Sequence, residues 1–313
     1  MKTLIEGVFP YNDAKLTCFE RPLYAYINAL GMDPKYLGLA TWSFTDNYVK
    51  NFCGIMQNIP MQWITDGLAS IYRVQVQITN PEDAADAISI IGQELDAGNP
   101  VMVFVDSFYC PWYPSYYRSH INHYVLVIGI SEHDEFICLD RPDEHAPYRL
   151  LPFQDYIDGR GIGEVIRFQC KEKDTNVKQR ANKFLLQHLE RMKNSDQFER
   201  IRHFSTYLRL HFSIEDELKG VHDYRVAAIY TWLKGISTSR EKFSEALQMC
   251  DIGIPKELGD ELKNCSIQWM NVLVQLMLAK DRKIDYDYLA DLICNIAQQE
   301  EACYCRLLNY CMR

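Results

Sequence analysis

No apolar run in this sequence approaches the roughly 18 residues that a membrane-spanning helix needs, and neither a low-complexity tract nor an internal repeat interrupts the chain. A basic stripe interleaved with aromatics is also missing. The formal net charge is -9, and phosphate backbones are held by concentrated positive charge, which argues against a nucleic-acid partner. The opening residues, MKTLIEGVFPYND, reach Pro10 and Asp13 before any apolar stretch long enough for a signal peptide or an anchor. A cytoplasmic location without membrane attachment is the expectation. Zinc-type spacing is lacking as well: His120-x-x-His123 and the terminal Cys303, Cys305 and Cys311 have no second ligand pair, so no metal is expected. The alternating glycines of DGRGIGEV lead into a strand-like run and not a helix, which argues against a dinucleotide or phosphate cradle.

What is present describes an ordinary globular chain of 313 residues, 48% hydrophobic and 24% charged, long enough for two units with a core in each. Eleven cysteines are an odd number in a chain with no export signal, so reduced thiols are expected. Most of them read as small buried hydrophobes, leaving room for one nucleophile.

Helical spacing of Phe19, Leu23, Tyr26, Ile27 and Leu30 predicts a buried helix that begins close to Cys18 and stops at Gly31. Alternation over SIYRVQVQI, residues 70 to 78, predicts a half-exposed strand. The segment NPED then caps a helix through Ala84, Ala87, Ile88, Ile91 and Leu95, ending at Gly98. Further strands are expected at VMVFVD, from His123 to Ile130, from Glu135 to Asp140, at 147 to 151 and at 164 to 170. Strand-like alternation then disappears. The expected architecture is α+β over residues 1–172, with a boundary in KEKDTN, followed by an all-helical unit over 173–313 broken near 220, 237 and 253 to 259.

Candidate chemistry gathers in the first part. Cys18 stands where a helix begins, and the positive end of a helix lowers a thiol's pKa. If residue 130 pairs with 135 across SEHD, 123 faces 142 and Asp140 lies diagonally beside His123 on one face of the ribbon, about 7–8 Å away at Cα. A shift of one residue would place them on opposite faces. Cysteine, base and orienting acid are the parts of covalent acyl transfer. Asn12, six residues before Cys18, can offer a side-chain amide to an oxyanion beside the Cys18 backbone N–H. Asp106 either contacts a substrate amine or caps the loop after its strand, and Tyr109, Trp112 and Tyr117 either line an acyl channel or cover a core. Each of the other residues has a bland alternative too: Cys18 as a buried helix residue, His123 as a strand-end histidine, Asp140 as a turn residue.

The order Cys18, His123, Asp140, with LDAGNPVMVFVD before the histidine, resembles the papain-like bacteriocin-processing cysteine peptidases, which place a glutamine where this chain has Asn12. LTCFERPLYAYINALG, PVMVFVDSFYCPWY and HYVLVIGISEHDEFICLD are similar, more closely, to the butirosin biosynthesis protein H family. That resemblance implies a papain-like domain followed by helices. It also implies an acyltransferase of antibiotic-type specialised metabolism that moves an acyl group from a carrier-protein thioester to a small-molecule amine. Cys18 would be its nucleophile, His123 its base and Asp140 the orienter of that base. It implies no cofactor, the donor itself bringing phosphopantetheine from the acyl or peptidyl carrier protein. Lys178, Arg180 and Lys183 form the basic patch available for docking an acidic carrier. A cysteine hydrolase, with water in place of the amine, and a non-catalytic binding protein on the same fold are the rival readings.

Overall fold

The computed structural model describes residues 3–45, 48–49, 52–53, 61–141, 147–160, 163–170, 176–219, 227–250, 252–278 and 283–312. Its strands are β1 (Thr3–Leu4), β2 (Tyr48–Val49), β3 (Phe52–Cys53), β4 (Val74–Thr79), β5 (Val101–Asp106), β6 (Asn122–Ile130), β7 (Glu135–Leu139), β8 (Arg149–Pro152) and β9 (Val165–Cys170). The α-helices are α1 (Glu20–Ala29), α2 (Met61–Tyr72), α3 (Ala84–Asp96), α4 (Phe153–Gly159), α5 (Val177–Lys193), α6 (Gln197–Leu210), α7 (Ile214–Glu217), α8 (Ala228–Met249), α9 (Lys256–Met277) and α10 (Tyr286–Cys311). The class is α+β, with the strands of one antiparallel sheet in the N-terminal part and helices in the C-terminal part. Among the described residues no helix is long and apolar enough to cross a membrane.

The chain divides into two compact units, and the division is not the uninterrupted one expected from the sequence. Met1–Pro34 joins Tyr72–Thr175, while Lys35–Ile71 joins Asn176–Arg313. The expected boundary in KEKDTN falls largely on residues outside the described ones, with α5 beginning just beyond it at Val177.

The first unit is built on a sheet ordered β4-β9-β5-β6-β7-β8, with β1 paired to the far end of β6. Every pairing is antiparallel. Val101, Val103 and Val105 face Val127, Val125 and His123 across the β5–β6 ladder. This row packs with Ala87, Ile91 and Leu95 of α3 and Tyr156 of α4. Each fully buried valine of that row contributes roughly 1.5 kcal/mol or more. Tyr26 of α1 stacks on Phe168 of β9 at 4.7 Å. The expected strand over 70 to 78 begins only at Val74, because residues 70 to 72 close α2. Arg73, at φ 59°, turns the chain from helix to strand in a left-handed conformation that alternation cannot announce.

The second unit holds its polar groups in its interior. Arg240 donates Nε–H to Glu300 Oε1 at 2.9 Å and Nη2–H to Oε2 at 2.8 Å, and both side chains are fully buried. Trp42 and Trp269 donate their indole N–H to the same carboxylate at 2.9 and 2.8 Å, and Arg240 also donates to the Ser43 carbonyl at 2.6 Å. A buried ion pair in which each guanidinium nitrogen has a partner fixes one arrangement of the elements that supply it. It is also a physical reason why residues 35–45 belong with the helices. Gly38 packs there so closely that a Cβ would lie 2.5 Å from the Lys242 carbonyl oxygen. His188, also fully buried, bonds through Nε2 to the Trp42 carbonyl at 3.1 Å, while its Nδ1 has no hydrogen-bond partner among the described residues.

The expected break at 237 is absent, and α8 runs through it. The run GISTS reads like a turn, yet Thr238 and Ser239 return their hydroxyls to the carbonyls of Gly235 and Ile236, and Ser237 donates to the Ser266 carbonyl. With these hydroxyls partnered, the helix absorbs them. The break near 253 is present before α9, and the one near 220 borders residues outside the described ones.

Candidate active site

Helix α1 is entered through a reciprocal pair of bonds. Thr17 N–H donates to Glu20 Oε2 at 3.0 Å and Glu20 N–H donates to Thr17 Oγ1 at 3.2 Å, the capping-box exchange. Arg21 N–H reaches the Thr17 carbonyl at 3.1 Å, so the turn holding Cys18 is already helical in its bonding. Cys18 thereby sits in the first turn, half-buried, where helix N–H groups lack intrahelical partners.

His123 is the second residue of β6, and Asp140 follows the last residue of β7. Near the site the ladder pairs Leu126 with Leu139 and Val127 with Cys138, the register expected from the sequence. At the turn end Gly129 faces Ile137 and Ile130 faces Phe136, one residue out of step, with the irregularity between Val127 and Gly129. The bulge absorbs the shift before it reaches the site. His123 and Asp140 therefore share a face, with Nε2 and Oδ2 2.9 Å apart and both residues buried.

The same Asp140 oxygen accepts the indole N–H of Trp112 at 2.8 Å. The His123 imidazole and the Tyr124 backbone lie close enough to the Cys18 thiol for both to lower its pKa. With Nε2 engaged by Asp140, Nδ1 is the ring nitrogen left for the sulfur. Tyr113 packs its ring 4.6 Å from the imidazole, tilted by 60°.

Electrostatics follow from these contacts. Burial alone pushes the Cys18 thiol up, but the hydrogen bond and charge of His123 and the bond from Tyr124 outweigh it and hold the thiol below its ordinary value. Burial pulls His123 down, yet the charge and hydrogen bond of Asp140, with the bond to Cys18, push it up to about 9. Burial likewise opposes ionisation of Asp140, while His123, then Trp112 and Arg21, keep its carboxyl below the usual range. Among the described cysteines, Cys110, Cys138, Cys250, Cys265, Cys303 and Cys311 are pushed up, first of all by burial. At Cys250, Cys265 and Cys303 a nearby Lys178, Arg240 or Arg306 opposes burial without outweighing it, whereas at Cys18 the effect of His123 prevails.

The remaining sequence candidates lie as follows. Asn12 is exposed in the segment before the helix. Asp106 accepts from Phe108 N–H at 2.9 Å and Ile121 N–H at 3.0 Å through Oδ1, and its Oδ2 lies 2.6 Å from Nδ1 of the exposed His120. It closes the loop that follows β5. Tyr117, exposed and at φ 51°, packs on Phe108 and Tyr116, and Tyr109 packs against Phe108 and Gly159. Trp112 is bonded to Asp140, a contact that the sequence reading as a channel wall did not include. Tyr113 and Arg21 were not singled out from the sequence. Only their proximity to His123 and Asp140 in the fold marks them. Among the described residues no group of three His, Cys, Asp or Glu is arranged to hold a metal ion.

The family model described as butirosin biosynthesis protein H, N-terminal, matches residues 37–141, a span that includes His123 and Asp140 and begins after Cys18. No curated protein matches the chain.

Proposed function

We propose that the chain, whose residues 37–141 match the butirosin biosynthesis protein H family model, is a cysteine acyltransferase of specialised-metabolite biosynthesis on a papain-like catalytic unit. What supports the reading is the His123–Asp140 pair, 2.9 Å apart, beside a Cys18 thiol that His123 lowers, the imidazole itself being raised. A lowered thiol beside a raised imidazole favours the thiolate–imidazolium pair, the resting form of an activated cysteine nucleophile.

In the first half-reaction the Cys18 thiolate attacks the carbonyl carbon of an acyl thioester. The bond from that carbon to the donor sulfur breaks, and the departing thiolate takes the proton of the His123 imidazolium. In the second, an amine attacks the acyl-enzyme, gives a proton to His123 and forms an amide as the bond to Cys18 breaks. The original ion pair is restored. Asp140 holds the ring by Nε2 throughout, and the Cys18 backbone N–H, with Asn12 as the second donor, receives the oxyanion. A thioester is already activated, so neither ATP nor a metal is called for. The donor arrives on the phosphopantetheine arm of a carrier protein whose acidic surface suits Lys178 and Lys183, both exposed on α5. Arg180 of the same patch is half-buried and donates to the Ile71 carbonyl at 2.7 Å.

Intact-mass measurement after exposure to acyl-carrier thioesters tests the reading. The expected result is one acyl adduct on the parent protein and none on Cys18→Ser, discharged as amide when an amine is added. Release of free acid alone in the presence of amines would assign the site to hydrolysis. No adduct across the panel of thioesters would remove the acyl-enzyme.

A further inference from the structure

The loop between β5 and β6, residues 107 to 121, is tied at its neck. Ser107 N–H donates to the Ile121 carbonyl at 2.9 Å, and Asp106 gathers Phe108 N–H, Ile121 N–H and the His120 ring. A second tie crosses its waist, where the buried hydroxyls of Ser107 and Ser115 lie 2.8 Å apart. Loop ends this close, with internal packing, make a compact Ω-type loop of fixed shape. Its inner side carries Trp112 and Tyr113. The indole N–H of Trp112 ends on the Asp140 oxygen that also binds His123, and the Tyr113 ring rests on the imidazole.

From this geometry we infer that Trp112 is a positioning residue: it fixes the Asp140 carboxylate so that one oxygen is aimed at His123, and the tied loop is the frame that holds the indole in place. The inference rests on the acyl-enzyme reading, since it assigns Trp112 to the orientation of that relay and not to an acyl channel. A carboxylate that accepts one hydrogen bond can swing about its Cβ–Cγ bond. The same oxygen held by two N–H donors from different elements cannot swing without breaking both, and such outer partners commonly orient the group that does the chemistry. A wall residue of an acyl channel would need only an apolar ring at position 112. A positioning residue needs the N–H.

Trp112→Phe separates the two, because it keeps the ring and removes the donor. The rate of iodoacetamide labelling at Cys18 is followed by peptide mass spectrometry from about pH 5 to about pH 10. In W112F the acid limb of the Cys18 profile moves up by about one pH unit, with labelling near neutrality slowed about tenfold and the alkaline plateau retained. Profiles of parent and W112F that superimpose would overturn the inference while leaving the nucleophile intact. A parent Cys18 that labels no faster than the exposed Cys305 would instead overturn the acyl-enzyme reading, and this assignment with it. A measurement on the unaltered protein covers the case in which the variant does not fold. The Trp112 indole N–H resonance titrates together with the Cys18–His123 pair, and a resonance that stays flat through that titration refutes the role.

Discussion

Acidification should destabilise the helical unit through one side chain. Burial holds His188 down at about 3, against an ordinary value of 6.5, despite the opposing bond to the Trp42 carbonyl. The physical cause is local: its Nδ1 has no partner among the described residues, and the rings of Trp63, Phe184 and Phe243 surround it. A proton added there would be a buried charge without a counter-ion. Below pH 6.5 the unfolded chain binds that proton and the folded chain does not, so stability falls as pH drops from 6.5 toward about 3. At 1.36 kcal/mol per unit, moving from pH 7 to pH 5 costs about 2 kcal/mol, and the full window about 5 kcal/mol. His188→Gln keeps an N–H for the Trp42 carbonyl but cannot titrate in this range. Urea unfolding of parent and variant at both pH values isolates the histidine, since the carboxylates are common to the two proteins. The parent should lose about 2 kcal/mol more than the variant between them. Parallel losses would show that His188 is protonated in the fold or is not sealed from water, and the reasoning from burial would fail.

Acylation of Cys18 by a thioester should slow above pH of about 9, because His123 then has no proton for the departing thiolate; a rate that keeps rising past that point would contradict the ion pair. Asp140→Asn should lower turnover by on the order of 10²–10⁴-fold with little loss of fold, measured by steady-state kinetics beside a thermal melt. Glu300→Ala strands the Arg240 charge and two indole N–H groups, and chemical denaturation should register a loss of about 3–5 kcal/mol. Gly38→Ala drives a methyl group against the Lys242 carbonyl oxygen and should cost about 1–3 kcal/mol in the same assay.

The parts of this fold readable in the sequence are those written in local periods. The strands around His123 and Asp140 are short continuous apolar runs joined by a short turn, so their pairing is legible, and counting residues gives the register observed beside the site. The bulge between Val127 and Gly129 does not follow, since nothing in VLVIGI marks which residue falls out of step. The end of helix α2 reads as strand because Tyr72 continues the alternation of Val74, Val76 and Ile78 behind it, and only the left-handed turn at Arg73 separates the two. The placement of residues 35–71 was illegible for a different reason. Trp42 meets Glu300 across 258 positions, a contact that no window of sequence contains. Trp112 was noticed for its ring, whereas its N–H is what touches Asp140. That distinction needs a partner 28 residues away to be visible.

The bond between Trp42 and Glu300 also sets an order of events. A ribosome delivers Trp42 before Glu300, with every strand from β4 to β9 emerging in between. The sheet's strands are therefore available to pair while the helical unit still lacks Arg240 and the carboxylate that both its indoles seek. A nascent chain stalled before α10 would carry the Trp42 and Trp269 indoles and the Arg240 charge without the carboxylate that partners all three. Fragments cut at the sheet's end inherit the same defect from the other side, as helices deprived of a segment made long before them.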